Sequence, residues 1–151
     1  MHDSSPDIKR RSALLRATTG FVLLIAARAT SSAGHAAKVL PPEPRWFDAA
    51  ASMKRIAESW GDQPYGAVLV ENGVIIGEGP SRVIKNGDPT AHAEREAIRD
   101  AQRRLGRSAL PGSVLYSTSR PCRECEIAAA RAQVTHMFFG PDLTDAGQPS
   151  L

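Results

Sequence analysis

Apolar positions beyond residue 41 change their period several times, and each change marks an element. Trp46, Ala50, Met53, Ala57 and Trp60 recur at the three-to-four-residue spacing of a helix with one apolar stripe, and Gly61 stops it. That stripe predicts a core-facing helix with both tryptophans inside. Two short apolar runs follow at residues 66–70 and 74–77. Glu71-Asn72-Gly73 joins them, and Asn-Gly between such runs is hairpin chemistry. Pro80 ends the second run, and residues 81–88 read as polar loop. Helical spacing returns with Ala93, Ala97, Ala101 and Leu105, bounded by Thr90 as a candidate N-cap and by Gly106. Pro111-Gly112 is a turn. Residues 114–117 then read as a strand, residues 121–132 as an alanine-rich helix and residues 134–140 as a last strand, in which His136 reads as structural. The order helix, strand, strand, helix, strand, helix, strand predicts an α/β domain, a mixed sheet with helices packed on it.

The first residues follow a different pattern. Lys9-Arg10-Arg11 precedes an apolar run at residues 17–27, and small residues (Ser32, Ala33, Gly34, Ala36) come after it. The run is too short to cross a bilayer, which takes about 20 residues. This is the layout of an export signal, and the paired arginines resemble a twin-arginine (Tat) signal. The expected organisation is a signal peptide at residues 1–36, a linker at 37–44 carrying Pro41-Pro42-Glu43-Pro44, and one domain at 45–151. The expected location is the periplasm, without a stable membrane anchor.

Charge supports that division. The chain carries a formal net charge of +3, and the whole excess falls within residues 1–36, so that basic and acidic residues balance in the remainder. A balanced domain gives no electrostatic case for gripping a phosphate backbone, so nucleic acid is not the expected partner.

The residues with chemistry to offer are His92-Ala93-Glu94 and Pro121-Cys122-Arg123-Glu124-Cys125. One imidazole and two thiolates can hold a zinc ion and leave its fourth position for water, whereas a closed structural site takes four protein ligands. The chain has two cysteines in all, and no second histidine stands near either motif. An open, catalytic site with His92, Cys122 and Cys125 as ligands therefore fits better than a scaffold. Cys122 and Cys125 are three apart, on one face of a helix turn. The helix start after Pro121 is expected to lower both thiol pKa values. In an ideal helix Glu94 faces away from His92, so its expected role is catalytic: carrying protons between water and a departing nitrogen.

The pairing H-x-E … P-C-x-x-C is a signature of zinc deaminases. Together with Pro64-Tyr65-Gly66-Ala67-Val68, Asp88-Pro89-Thr90-Ala91 and Phe139-Gly140, it resembles the cytidine deaminase superfamily, in particular its guanine, cytosine and tRNA-adenosine deaminase branch. The resemblance implies a three-layer α/β/α fold with a mixed central sheet, and hydrolytic loss of ammonia from the amino-bearing carbon of a base. It also implies Zn2+ on His92, Cys122 and Cys125, Glu94 as the proton carrier, and a homodimer. The backbone near Ala67 would line the base pocket. Ser81 stands where relatives carry a base-contacting Asn, and Arg120 where they often have Glu. The chain stops eleven residues after Gly140, where relatives add a further strand and helices, so a shortened C-terminal region is expected.

The leading expectation is a zinc-dependent hydrolytic deaminase of a free nucleobase, nucleoside or related amino-heterocycle. Tyr65 is placed to stack on such a ring. The alternative is a zinc-binding module of the same fold that lost turnover. A thiol–disulfide oxidoreductase built on Cys122 and Cys125 leaves His92 and Glu94 without a role.

Overall fold

The computed structural model describes residues 41–151. The export-signal reading at residues 1–36, and most of the expected linker, lie outside them. Nine elements follow in order: α1 (Pro44–Ser59), β1 (Gly66–Glu71), β2 (Val74–Pro80), α2 (Val83–Asn86), α3 (Ala93–Leu105), β3 (Ser113–Ser117), α4 (Arg123–Arg131), β4 (His136–Phe139) and β5 (Thr144–Gly147). Among the described residues no helix is long and apolar enough to cross a membrane.

The strands form one mixed sheet in the order β2-β1-β3-β4-β5. β1 pairs antiparallel with β2 and β3, β3 pairs parallel with β4, and β5 closes the edge antiparallel to β4. The β1–β2 connection is the expected two-residue hairpin. Asn72 and Gly73 both have positive φ, 51° and 74°, as the twist of a tight hairpin requires. The parallel step from β3 to β4 crosses over through α4.

Alternating strand residues feed two cores. Val68, Val70, Val114, Tyr116 and Phe138 pack with Trp46 and Ala50 of α1 on one face. Ala67, Leu69, Leu115 and Met137 pack with Ala93, Ala97, Ala101 and Ala129 of α3 and α4 on the other. This is the three-layer arrangement expected. Small residues let the layers come close. A Cβ on Gly79 of β2 would sit 2.0 Å from the Ala93 carbonyl oxygen, and one on Gly66 of β1 would sit 2.2 Å from that of Ala50.

Several expectations are corrected. Trp60 is not core. It caps the C-terminal end of α1 and is 37% exposed, with Arg82 and Lys85 stacked on its ring at 4.7 and 3.4 Å. Leu105 is likewise exposed. The polar segment after Pro80 contains the short helix α2. It is held from a distance: the backbone N–H groups of Ile84 and Lys85 donate to Asp62 Oδ2 at 3.0 and 2.8 Å. Thr90 is not the N-cap of α3. His92 occupies that position in extended conformation, while Thr90 N–H donates to Asp88 Oδ1. Residues 144–147 form an edge strand beyond the last expected one. His136 Nε2 meets Asp145 Oδ1 at 2.6 Å across β4 and β5.

Candidate functional site

The two chemical motifs lie at the starts of α3 and α4. His92 is the N-cap of α3 and Cys122 the N-cap of α4, each extended and neither capping with its side chain. Both side chains are therefore free to point off the helix ends. Cys125 lies one turn into α4 and is fully buried. His92 Nδ1 stands 3.5 Å from Cys122 Sγ and 3.5 Å from Cys125 Sγ. The three donor atoms all lie within 4.8 Å of one another.

That geometry tests the donors against zinc. Tetrahedral bonds of about 2.3 Å to sulfur and 2.0–2.1 Å to nitrogen set N and S about 3.5 Å apart, which is the spacing found. The donor set fits: one imidazole and two thiols, with Glu94 outside the group of three.

Glu94 is 4% exposed. Its Oε1 accepts a hydrogen bond from the Ser117 hydroxyl at 2.8 Å, and its Oε2 lies 3.5 Å from Cys125 Sγ, which donates to it. Because His92 is a non-helical N-cap, the ideal-helix angle between His92 and Glu94 does not apply, and both line the same cavity. Burial, and after it the Glu94 carboxylate, push the Cys125 thiol well above its ordinary pKa. For Cys125, burial and the neighbouring carboxylate act against the lowering expected of a helix start.

The cavity holds about 260 Å³ and is lined by Gln63, Tyr65, His92, Glu94, Arg120 and Cys122, with Ala93 and Ser119 completing the wall. Of the expected substrate contacts, Tyr65 is there, 43% exposed at the rim. Ala67 is fully buried within β1, between Gly79 and Ser117, and is not part of this wall. Ser81 is 0% exposed, and its hydroxyl donates to Asp62 Oδ1 at 2.9 Å. With its short side chain engaged by Asp62, Ser81 is not among the residues lining the cavity. Sequence reasoning missed Gln63, Ser117 and Ser119. Ser117 left one trace, a small polar residue ending an apolar strand run, where a buried hydroxyl must find a partner.

Residues 43–141 match the family model for the cytidine and deoxycytidylate deaminase zinc-binding region. Over 85 residues the chain is 42% identical to guanine deaminase of Bacillus subtilis (strain 168), covering 56% of this chain and 54% of that protein. Over 88 residues it is 41% identical to a tRNA-specific adenosine deaminase of Buchnera aphidicola subsp. Baizongia pistaciae, covering 58% of this chain and 54% of that protein. The fold superposes on the X-ray structure of guanine deaminase from Bacillus subtilis with a TM-score of 0.63 at 35% identity, over 66% of this chain and 64% of that one. The chain spans about half the length of the curated relatives it matches.

Proposed function

The chain belongs to the cytidine deaminase superfamily, and on that footing we propose that it is a zinc-dependent hydrolytic deaminase of a free nucleobase, nucleoside or related amino-heterocycle. One observation carries this reading. The His92, Cys122 and Cys125 donors close to the spacing of a tetrahedral zinc site, and a buried carboxylate stands beside them on the same cavity. His92, Cys122 and Cys125 would hold the ion. Zinc, when bound, supplies a Lewis acid that makes water a usable nucleophile near neutral pH.

This chain's residues do the rest. Glu94 takes a proton from the attacking water and delivers it to the departing amino nitrogen, so that ammonia leaves. Ser117 holds Oε1 and thereby fixes the plane of the carboxylate. Tyr65 offers a ring face at the rim for stacking. A cavity near 260 Å³ lies below the 300–1,000 Å³ common for drug-sized ligands, which suits a single heterocycle. The balanced charge of residues 37–151 favours a small molecule over a polyanion. The arginine pair at Arg10-Arg11 supports export by the twin-arginine route, to be tested by fractionating cells that make the full chain.

The decisive experiment is ammonia release by the zinc-loaded protein from guanine, cytosine, adenine, their nucleosides and a tRNA. Turnover of a free base or nucleoside is the expected result. Turnover of tRNA alone would reassign the substrate. No ammonia from any of them, with zinc bound, would leave a zinc-binding module without this activity.

A further inference from the structure

Gln63 reaches the cavity from a stretch of chain that bears none of the metal donors. Its neighbour Asp62 is 7% exposed and saturated with donors. Asp62 Oδ1 accepts from Gln63 N–H at 2.7 Å and from the Ser81 hydroxyl at 2.9 Å. Its Oδ2 accepts from the N–H groups that start α2. Tyr65 N–H donates to the Gln63 carbonyl at 2.8 Å, and Ser81 N–H to the Tyr65 carbonyl at 3.1 Å. The 62–65 backbone is thus tied to the end of β2 and to α2, and is no loose rim.

Gln63 is half-buried as a residue, and its side-chain amide has no hydrogen-bond partner among the described residues. Two of the other polar groups at hand are already engaged, while Ser119 and Arg120 share the cavity wall. Glu94 Oε1 is engaged with Ser117, the Ser81 hydroxyl is bound to Asp62, and Arg120 is exposed. A primary amide on a fixed backbone presents donors and an acceptor together. That matches a heterocycle edge on which an N–H adjoins a ring nitrogen or carbonyl. We propose that Gln63 is the specificity-determining residue of this cavity, reading that donor–acceptor edge of the substrate ring, and that Asp62 is the positioning residue that holds it in place. The inference rests on the deaminase reading for its choice of ligands.

Two variants, Gln63→Leu and Gln63→Glu, test it in the zinc-loaded full chain. Binding of guanine, cytosine, adenine and their nucleosides is measured by calorimetry, with ammonia release in parallel and zinc content and melting temperature as controls. Gln63→Leu should weaken the best-bound ligand about 10- to 100-fold, and raise KM more than it lowers kcat. Gln63→Glu, an acceptor only, should reorder the panel toward rings with adjacent donors. Asp62→Asn should raise KM in the same substrate order while retaining zinc. Unchanged affinity and panel order in Gln63→Leu, with ammonia still released, overturn the inference and leave deamination standing. Gln63-dependent binding without ammonia overturns deamination and leaves the inference. Neither binding nor ammonia in the parent protein overturns both.

Discussion

Ser117 on β3 donates its hydroxyl proton to Glu94 Oε1 at 2.8 Å, and both side chains are buried. The bond joins the last residue of a central strand to the first turn of α3, and holds one carboxylate oxygen while the other lies toward Cys125. The proton-carrying role proposed for Glu94 needs that fixed orientation, because a rotating carboxylate spends little time aimed at its target.

Replacing Glu94 by Gln keeps the shape of the side chain and removes its basicity. Turnover should fall by about 10²- to 10⁴-fold, with zinc stoichiometry by elemental analysis unchanged. Ser117→Ala should lower kcat less, and cost about 1–3 kcal/mol of stability by leaving a buried oxygen short of a partner. A fully active Glu94→Gln variant would remove Glu94 from the reaction.

Stripping the metal with a chelator should lower the melting temperature, since an ion that binds only the folded chain stabilises it by mass action. The same treatment under air should make Cys122 and Cys125 oxidisable, as two thiols on adjacent helix turns facing one histidine. Thiol titration should count both cysteines in the zinc-protected protein under denaturing conditions and neither after chelation and oxidation. Equal thiol counts in the two samples would show that no metal protects the pair.

Acid should destabilise the protein partly through Asp62. Burial alone pushes that carboxyl up, but the N–H groups of Lys85 and Gln63, the Ser81 hydroxyl and the Ile84 N–H together hold it below its ordinary value. A carboxyl held low in the fold contributes stability while ionised. That contribution is in place above about pH 4, the unfolded value, and is lost as pH falls through the lower folded value. Asp62→Asn should cost about 1–3 kcal/mol at neutral pH and flatten the acid limb of a denaturation series. An acid limb of unchanged slope would show that other carboxyls carry it.

Gly79→Ala should be among the most damaging single-methyl changes. The added carbon would lie 2.0 Å from the Ala93 carbonyl oxygen and 2.4 Å from the Ala97 nitrogen, both backbone atoms that cannot step aside. The expected cost is about 3 kcal/mol or more. At Gly61 a Cβ meets nothing within 4 Å, but φ is +73°, so Gly61→Ala should cost only about 1 kcal/mol of backbone strain. Thermal melts of the two variants separate these effects.

Much of this arrangement was legible in local pattern. The Asn72-Gly73 hairpin announced itself because a tight turn demands residues that tolerate positive φ. His92, Glu94, Cys122 and Cys125 stood out because few chemistries want those side chains at those spacings. What stayed hidden was set by contacts distant in sequence. α2 depends on Asp62, more than 20 residues upstream, and nothing within residues 81–88 signals it. Trp60 looked like core because helical periodicity counts apolar residues without knowing where the sheet ends. Ser81 was placed at the substrate by resemblance to relatives with a longer amide, but a hydroxyl on so short a stem finds Asp62 first. The burial of Cys125, which works against the helix start, was equally hidden, because a rule about helix termini says nothing of how deeply a residue sits.

The Asp62 clamp has a practical consequence. The His92, Cys122 and Cys125 donors that could hold a metal stand at the starts of α3 and α4, whereas Gln63 and Tyr65 hang on a four-residue stretch secured elsewhere. A mutant library confined to positions 63 and 65 can therefore vary the cavity rim while leaving the three donors in place, which gives directed evolution a narrow target.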